Sequence, residues 1–223
     1  TVPGNAGVFY AGGGMGVIYA LDQATGKIVW SFNTIKDTGL WGHPEINSGG
    51  GCWYTPSIDT KTGMIFFSVS NPAPFPGQPK APGIPQDWPN GSSRPGNNLY
   101  TDSLLALDHK TGELKWYNQV LPHDIYDYDL QIPAILTSAN YGGKQQDVVI
   151  VAGKMGRVYM MNRQTGTTLW NIPVGQHNGN DLLTAFPTNA TIPVIPAPIG
   201  GVETPMSYAD GVVYVLANNT YSE

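Results

Sequence analysis

The 223-residue chain has 28 Gly and 19 Pro but only 12% charged residues, which is the make-up of a turn-rich β protein rather than a helical one. A net charge of −5 without any Lys/Arg cluster excludes nucleic acid and an anionic membrane surface as partners. No apolar run approaches the roughly 20 residues that span a bilayer, and a single cysteine, Cys52, excludes an intrachain disulfide within these residues.

In chain order, the first element is the hairpin Val17-Ile18-Tyr19-Ala20-Leu21-Asp22-Gln23-Ala24-Thr25-Gly26-Lys27-Ile28-Val29-Trp30. It recurs at Leu104–Trp116 and again at Val158–Trp170. Each copy is an apolar strand, a turn with Asp or Asn and then Gly, and a second strand ending in Trp. The Asx side chain closes the turn and Gly supplies its positive φ. The Trp recurs at one place, where it can dock on the next unit. A second pattern interleaves with the first. Thr55–Asp59 with Gly63–Val69, and Thr204–Tyr208 with Gly211–Val215, each predict two strands joined by a turn, and Ile132–Ile135 with Asp147–Val151 is a looser version. Four strands per unit predict the blade of a β-propeller. The expected division is a partial blade at 7–33, a blade at 54–118 containing the long loop 71–100, a blade at 131–172 and a partial blade at 203–217. A chain that opens and stops inside a blade, with no leader pattern, is expected to be a segment of a larger propeller. Three N-glycosylation triplets, at Asn90, Asn189 and Asn218, lean toward an exported protein.

The chemistry concentrates in Pro122-His123-Asp124-Ile125-Tyr126-Asp127-Tyr128-Asp129-Leu130. Residues i and i+2 of an extended segment point the same way, so Asp127 and Asp129 can converge on one point. Two such carboxylates repel unless a metal sits between them, and a hard cation takes an oxygen set of this kind. The bland alternative is a solvated acidic loop.

The Asp-x-x-Thr-Gly-x-x-x-Trp turns resemble the tryptophan-docking repeat of the quinoprotein dehydrogenases, the pyrroloquinoline quinone (PQQ) alcohol and methanol dehydrogenases with an eight-bladed propeller. Gly49-Gly50-Gly51-Cys52-Trp53 is similar to the family's segment leading to the Trp under the quinone ring. Ser70–Phe75 resembles the segment whose Asn, here Asn71, binds the active-site cation, and Arg94–Asn98 resembles the return from that loop. The resemblance implies that Asp127 is the catalytic base and, with Asn71, a metal ligand. It also implies that Asp129 is the extra carboxylate of lanthanide-using members and that Lys154, in Gly153–Gly156, meets the quinone oxygens. Gly13 and Gly14 fall in the stretch that approaches the cofactor, yet Gly12–Gly16 lacks the family's Glu ligand. Val202 and Glu203 replace a family His-Asn pair, and Glu203 is a candidate replacement ligand.

The implied cofactors are PQQ and calcium or a lanthanide. The implied partners are an alcohol, a cytochrome c-type electron acceptor and the remaining blades, outside the cytoplasm. Two other classes stay open: a cofactor-free propeller acting as an interaction platform, and a sugar- or metal-binding surface propeller without redox chemistry.

Overall fold

The computed structural model describes residues 15–37, 39–74, 88–187 and 189–221. Gly13, Gly14 and the start of the 7–33 unit lie outside them. The architecture is all-β. Strands β1 (Val17–Leu21) and β2 (Ile28–Asn33) pair antiparallel. The short strand β3 (Ser48–Gly49) follows, and then β4 (Ser57–Asp59), β5 (Met64–Ser68), β6 (Pro72–Ala73), β7 (Ser103–Asp108) and β8 (Leu114–Gln119). Of these, β4-β5-β7-β8 form a four-stranded sheet, and β3 pairs with β6 beside it. A second four-stranded sheet contains β9 (Ile135–Tyr141), β10 (Lys144–Gly153), β11 (Arg157–Asn162) and β12 (Thr168–Pro173), and β13 (Ser207–Ala209) pairs with β14 (Val212–Tyr214). Both four-stranded sheets are antiparallel meanders, the blade unit of a propeller. Among the described residues no helix is long and apolar enough to cross a membrane.

The repeat acts at atomic level. The side chains of Asp22, Asp108 and Asn162 each accept a backbone N–H from the Thr three residues on (2.8, 3.0 and 3.1 Å). The carbonyls of the same residues accept the N–H of Gly26, Gly112 and Gly166, each at 2.8 Å. All three hairpins also slip register at the same place, at Ala20/Leu21, Ala106/Leu107 and Met160/Met161.

The tryptophans then join one unit to the next. The Trp30 indole N–H donates to the His109 carbonyl (3.0 Å), and a Cβ on Gly112 would lie 2.7 Å from its ring. Trp116 repeats this one sheet further on, donating to Arg163 O (3.1 Å) and lying against Gly166, where a Cβ would come within 2.5 Å. Gly at these positions therefore serves both the left-handed turn and the aromatic contact. Trp170, in the third copy, packs partly buried against Val148, Ile150, Val158 and Met160.

Between the two large sheets, Phe66, Leu104, Ala106 and Trp116 meet Val149, Val151, Tyr159 and Met161, and the link residues Ile125, Tyr126, Tyr128 and Leu130 fill the same core. Burying each large apolar side chain contributes about 1.5–3 kcal/mol, so the link that carries the acidic cluster is fixed by the core itself.

Some expectations need correction. The first strand of the second large sheet is β9 at Ile135–Tyr141, not Ile132–Ile135. Pro133 has no N–H for a ladder, whereas Gly142 and Gly143, at φ 60 and 75, make the two-residue turn that pairs Tyr141 with Lys144. The opening strands β4 and β13 are likewise cut to three residues, each beginning after a proline, Pro56 and Pro205. The Asn90 amide bonds the Phe186 backbone in both directions (2.6 and 3.2 Å), which places this triplet inside the fold rather than at a free sugar acceptor.

Candidate functional site

The site lies where strand ends gather. Asn71 follows β5, Lys154 follows β10, and Asp127 and Asp129 lie in the link between the two sheets. That link is not extended throughout, as a simple alternation requires: His123 and Asp127 are left-handed, at φ 52 and 70. Alternation of the side chains survives the bend. Tyr126 and Tyr128 stack on one side, with centroids 4.6 Å apart and planes 9° from parallel. Their hydroxyls donate to the carbonyls of Asn180, Leu183 and Pro196 (2.8, 2.6 and 2.5 Å). Asp127 and Asp129 point instead toward Lys154, whose Nζ lies 3.0 Å from Asp127 Oδ2 and 2.6 Å from Asp129 Oδ2.

The backbone makes this convergence rigid. Asn71 N–H donates to the second oxygen of Asp129 (3.0 Å), and Lys154 N–H donates to the Asp129 carbonyl (3.1 Å). Gly153 has no room for a Cβ against that carbonyl, and Gly201 has none against the carbonyl of Lys154. The glycine segment comes alongside, with Gly50 N–H on Asn71 O (3.1 Å) and Ser70 N–H on Gly51 O (2.8 Å). On the far side Tyr54 donates to the carbonyl of Glu203 (2.9 Å), while Val202 N–H donates to Gly153 O (3.1 Å). Segments 49–54, 70–71, 127–129, 153–154 and 201–203 are thus tied into one cluster.

Burial sets the electrostatics. It pushes the Asp127 carboxyl up to about 7; the Lys154 charge opposes this and the Asp129 charge adds to it. Burial alone would lower Lys154, but Asp129 and Asp127 outweigh it and leave the ammonium above its ordinary pKa. Behind this layer is a second one that residue types alone did not single out. Arg94, fully buried, donates to Pro74 O (2.9 Å), Asn98 Oδ1 (2.8 Å) and Asp124 O (2.5 Å). Burial lowers it to about 10. Asp124 is raised to about 6 by burial, against the two backbone N–H groups it accepts. Asp102 is fully buried with both oxygens unpartnered, and burial followed by the Asp124 and Asp129 charges raises it well above the carboxylate range. The sequence signals for this layer were Asp124 within the acidic stretch and the Arg94–Asn98 segment; nothing local marked Asp102.

The remaining candidates are less engaged. Trp53 is 63% exposed, with only its edge near Gly51. Glu203 turns its carboxylate to the Asn218 amide (3.2 Å), not to the aspartates.

Residues 8–180 match the family model described as PQQ, the glucose/ethanol/alcohol dehydrogenase β-propeller domain. The chain belongs to this family. Within the PQQ dehydrogenases it is similar to the quinohemoprotein alcohol dehydrogenase ADH IIB of Pseudomonas putida, 30% identical over 183 residues that cover 74% of the chain and 25% of the relative. The lanthanide-dependent methanol dehydrogenase of Methylorubrum extorquens is 28% identical over 186 residues, covering 71% of the chain and 29% of that protein. Among solved structures, the quinohemoprotein alcohol dehydrogenase ADHIIG of Pseudomonas putida HK5 superposes with a TM-score of 0.75 at 26% identity, over 92% of this chain and 34% of that one. The chain therefore spans about a quarter to a third of the relatives it matches.

The groups implied by the PQQ family fit these residues in kind. Trp53 is an exposed aromatic of the kind that can serve as a flat partner for a quinone ring. Asn71, Asp127 and Asp129 offer only oxygen donors, as a hard cation requires, and the two carboxylates already converge on one positive centre, the Lys154 ammonium. The donor set is nonetheless short. Among the described residues no three His, Cys, Asp or Glu side chains group as a metal site.

Proposed function

We propose that the protein is a PQQ- and cation-dependent dehydrogenase of alcohols acting outside the cytoplasm. The chain studied then supplies blades 54–118 and 131–172, and parts of two more at 7–33 and 203–217, of an eight-bladed propeller. The observation that carries this reading is the Asp127–Lys154–Asp129 cluster, built at strand ends in a chain of the PQQ family. Bound PQQ supplies the acceptor for the two electrons that leave the alcohol, and a calcium or lanthanide ion beside it supplies Lewis-acid polarisation.

The protein's own residues do the rest. Asp127 takes the hydroxyl proton, and a carboxyl near 7 suits a base that must accept and return a proton near neutrality. Lys154 favours the charged form of Asp127 against burial and fixes its direction; Asp129, anchored by Asn71 N–H, fixes Lys154 in turn. Trp53 and the glycine segment receive the flat ring, and Asn71, Asp127 and Asp129 are the cation's ligands. Electrons then pass to a cytochrome c-type acceptor.

One observation favours a second reading, the cofactor-free platform: Lys154 occupies the point on which both carboxylates converge, as a purely structural ion-pair cluster would. Titrating the whole protein with PQQ and either calcium or lanthanum separates the two readings. The first expects a quinone absorption band, quenching of Trp53 fluorescence and dye-coupled alcohol oxidation that Asp127→Asn abolishes. A protein that binds no PQQ with either ion belongs to the second.

A further inference from the structure

We propose that Asp124 is the positioning residue of the site, setting the direction of the Asp127 carboxylate by gripping the backbone on both sides of it. This rests on the reading of Asp127 as the base. The Asp124 carboxylate accepts the N–H of Tyr126 at one oxygen (2.6 Å) and of Tyr128 at the other (2.7 Å), so residue 127 is enclosed between two anchored amides. Asp127 adopts φ 70, a left-handed conformation that a residue with a Cβ disfavours and keeps only when its surroundings impose it. From that conformation it reaches Lys154 while its neighbours stack on the opposite side.

Asp124 is itself held. It is 1% exposed, and buried Arg94 donates to its carbonyl (2.5 Å) while also holding Pro74 O and Asn98. The grip needs both oxygens at this chain length. Asn offers one acceptor and sets an N–H₂ against an N–H, and Glu keeps the charge but moves it a methylene outward. Asp124 touches no reacting group in this arrangement, since both its oxygens face backbone N–H groups.

The test uses the whole protein loaded with PQQ and calcium, with D124N and D124E beside the wild type. Backbone hydrogen exchange resolved to single amides gives a readout independent of turnover. In the wild type, Tyr126 and Tyr128 amides are expected to exchange more slowly than the Asp127 amide between them, and in D124N at least one of the two should lose this protection, since Asn keeps a single acceptor. Misplacing a reacting group by about 1 Å costs up to about 100-fold, so kcat is expected to fall about 10- to 100-fold in both variants, with KM little changed and the acid limb of the pH profile displaced. A D124E enzyme as active as wild type would overturn the proposal, because charge alone would then suffice. Wild-type Tyr126 and Tyr128 amides that exchange as fast as that of Asp127 would overturn it without any variant. A fully active D127N enzyme would instead defeat the reading of Asp127 as base, while the exchange pattern would still decide whether Asp124 sets the conformation at 127.

Discussion

Replacing Lys154 by Met removes the positive charge that Asp127 and Asp129 share and leaves a side chain of similar length. In the native protein this charge is the main influence holding the Asp127 carboxyl down against burial, with the balance at about 7. An opposite charge at this range lowers a carboxylate by about 1–3 units, so K154M should raise Asp127 to roughly 8–10. In the cation-free protein its ionised fraction at pH 7 would drop from about one half to between roughly 10% and 0.1%, and activity should fall in the same direction, a loss that disappears as the pH rises. Stability carries the same signature. With its pKa raised on folding, Asp127 holds a proton in the native state that the unfolded chain has lost, so stability falls as pH rises from the ordinary carboxylate range through the folded pKa. In K154M that decline extends to higher pH, and its melting temperature should drop more than that of the wild type between about pH 7 and 9. The assay is kcat/KM against pH for wild type, K154M and K154R, with melting curves of the cofactor-free proteins. A K154M acid limb that superimposes on the wild type would refute the account of Asp127 as a base tuned by Lys154.

Three further outcomes are expected. Asp129→Ala should weaken lanthanide-supported alcohol oxidation far more than calcium-supported oxidation, since it removes an anionic ligand from the more highly charged ion; equal losses with both ions would count against Asp129 as a ligand. Asp102→Asn should stabilise the protein at neutral pH, because a carboxyl that folding forces to hold its proton is replaced by a group that never ionises. Denaturant melts at pH 5 and pH 8 check this, and the gain should be larger at pH 8. Gly166→Ala should cost about 1–3 kcal/mol from the left-handed backbone alone, and more because the new methyl meets the Trp116 ring. Urea unfolding of the whole protein measures the cost, and a neutral result would mean that Trp116 does not depend on that glycine.

The propeller was legible because its repeat is local chemistry. An Asx that closes a turn, a Gly four residues on that tolerates positive φ and a Trp four residues after that are each needed within one hairpin, so selection for the fold leaves them at fixed spacing. The acidic cluster was legible for a related reason: residue types suited to a hard cation are conspicuous in a chain so poor in charge. What the sequence could not carry was pairing across the fold. Lys154 was expected to meet the quinone oxygens, and its pairing with the two aspartates was not foreseen; the structure sets it between them, because Gly153 and Gly201 allow three backbone segments to press together around it. No local pattern announces a contact between residues 127 and 154. The same holds for Arg94, which reaches 30 residues along the chain to the Asp124 carbonyl, and for Asp102, whose burial depends on the segments around it.

The two layers differ in what they demand of charge. Lys154 balances one of the two carboxylates that face it, and Arg94 similarly offsets part of the Asp102–Asp124 pair behind. Three buried aspartates and the half-buried Asp127 against two cations leave an excess of negative charge, which the protein relieves by holding protons, as the raised Asp102, Asp124 and Asp127 indicate. A cation entering beside Asp127 and Asp129 would relieve the same excess and release protons, because both ions compete for the carboxylates. Binding of calcium or a lanthanide is therefore expected to tighten as pH rises through the Asp127 titration near 7, with proton release detectable in a weakly buffered titration. Affinity that stays flat from pH 5 to pH 8 would show that the ion, if it binds, does so away from these two aspartates.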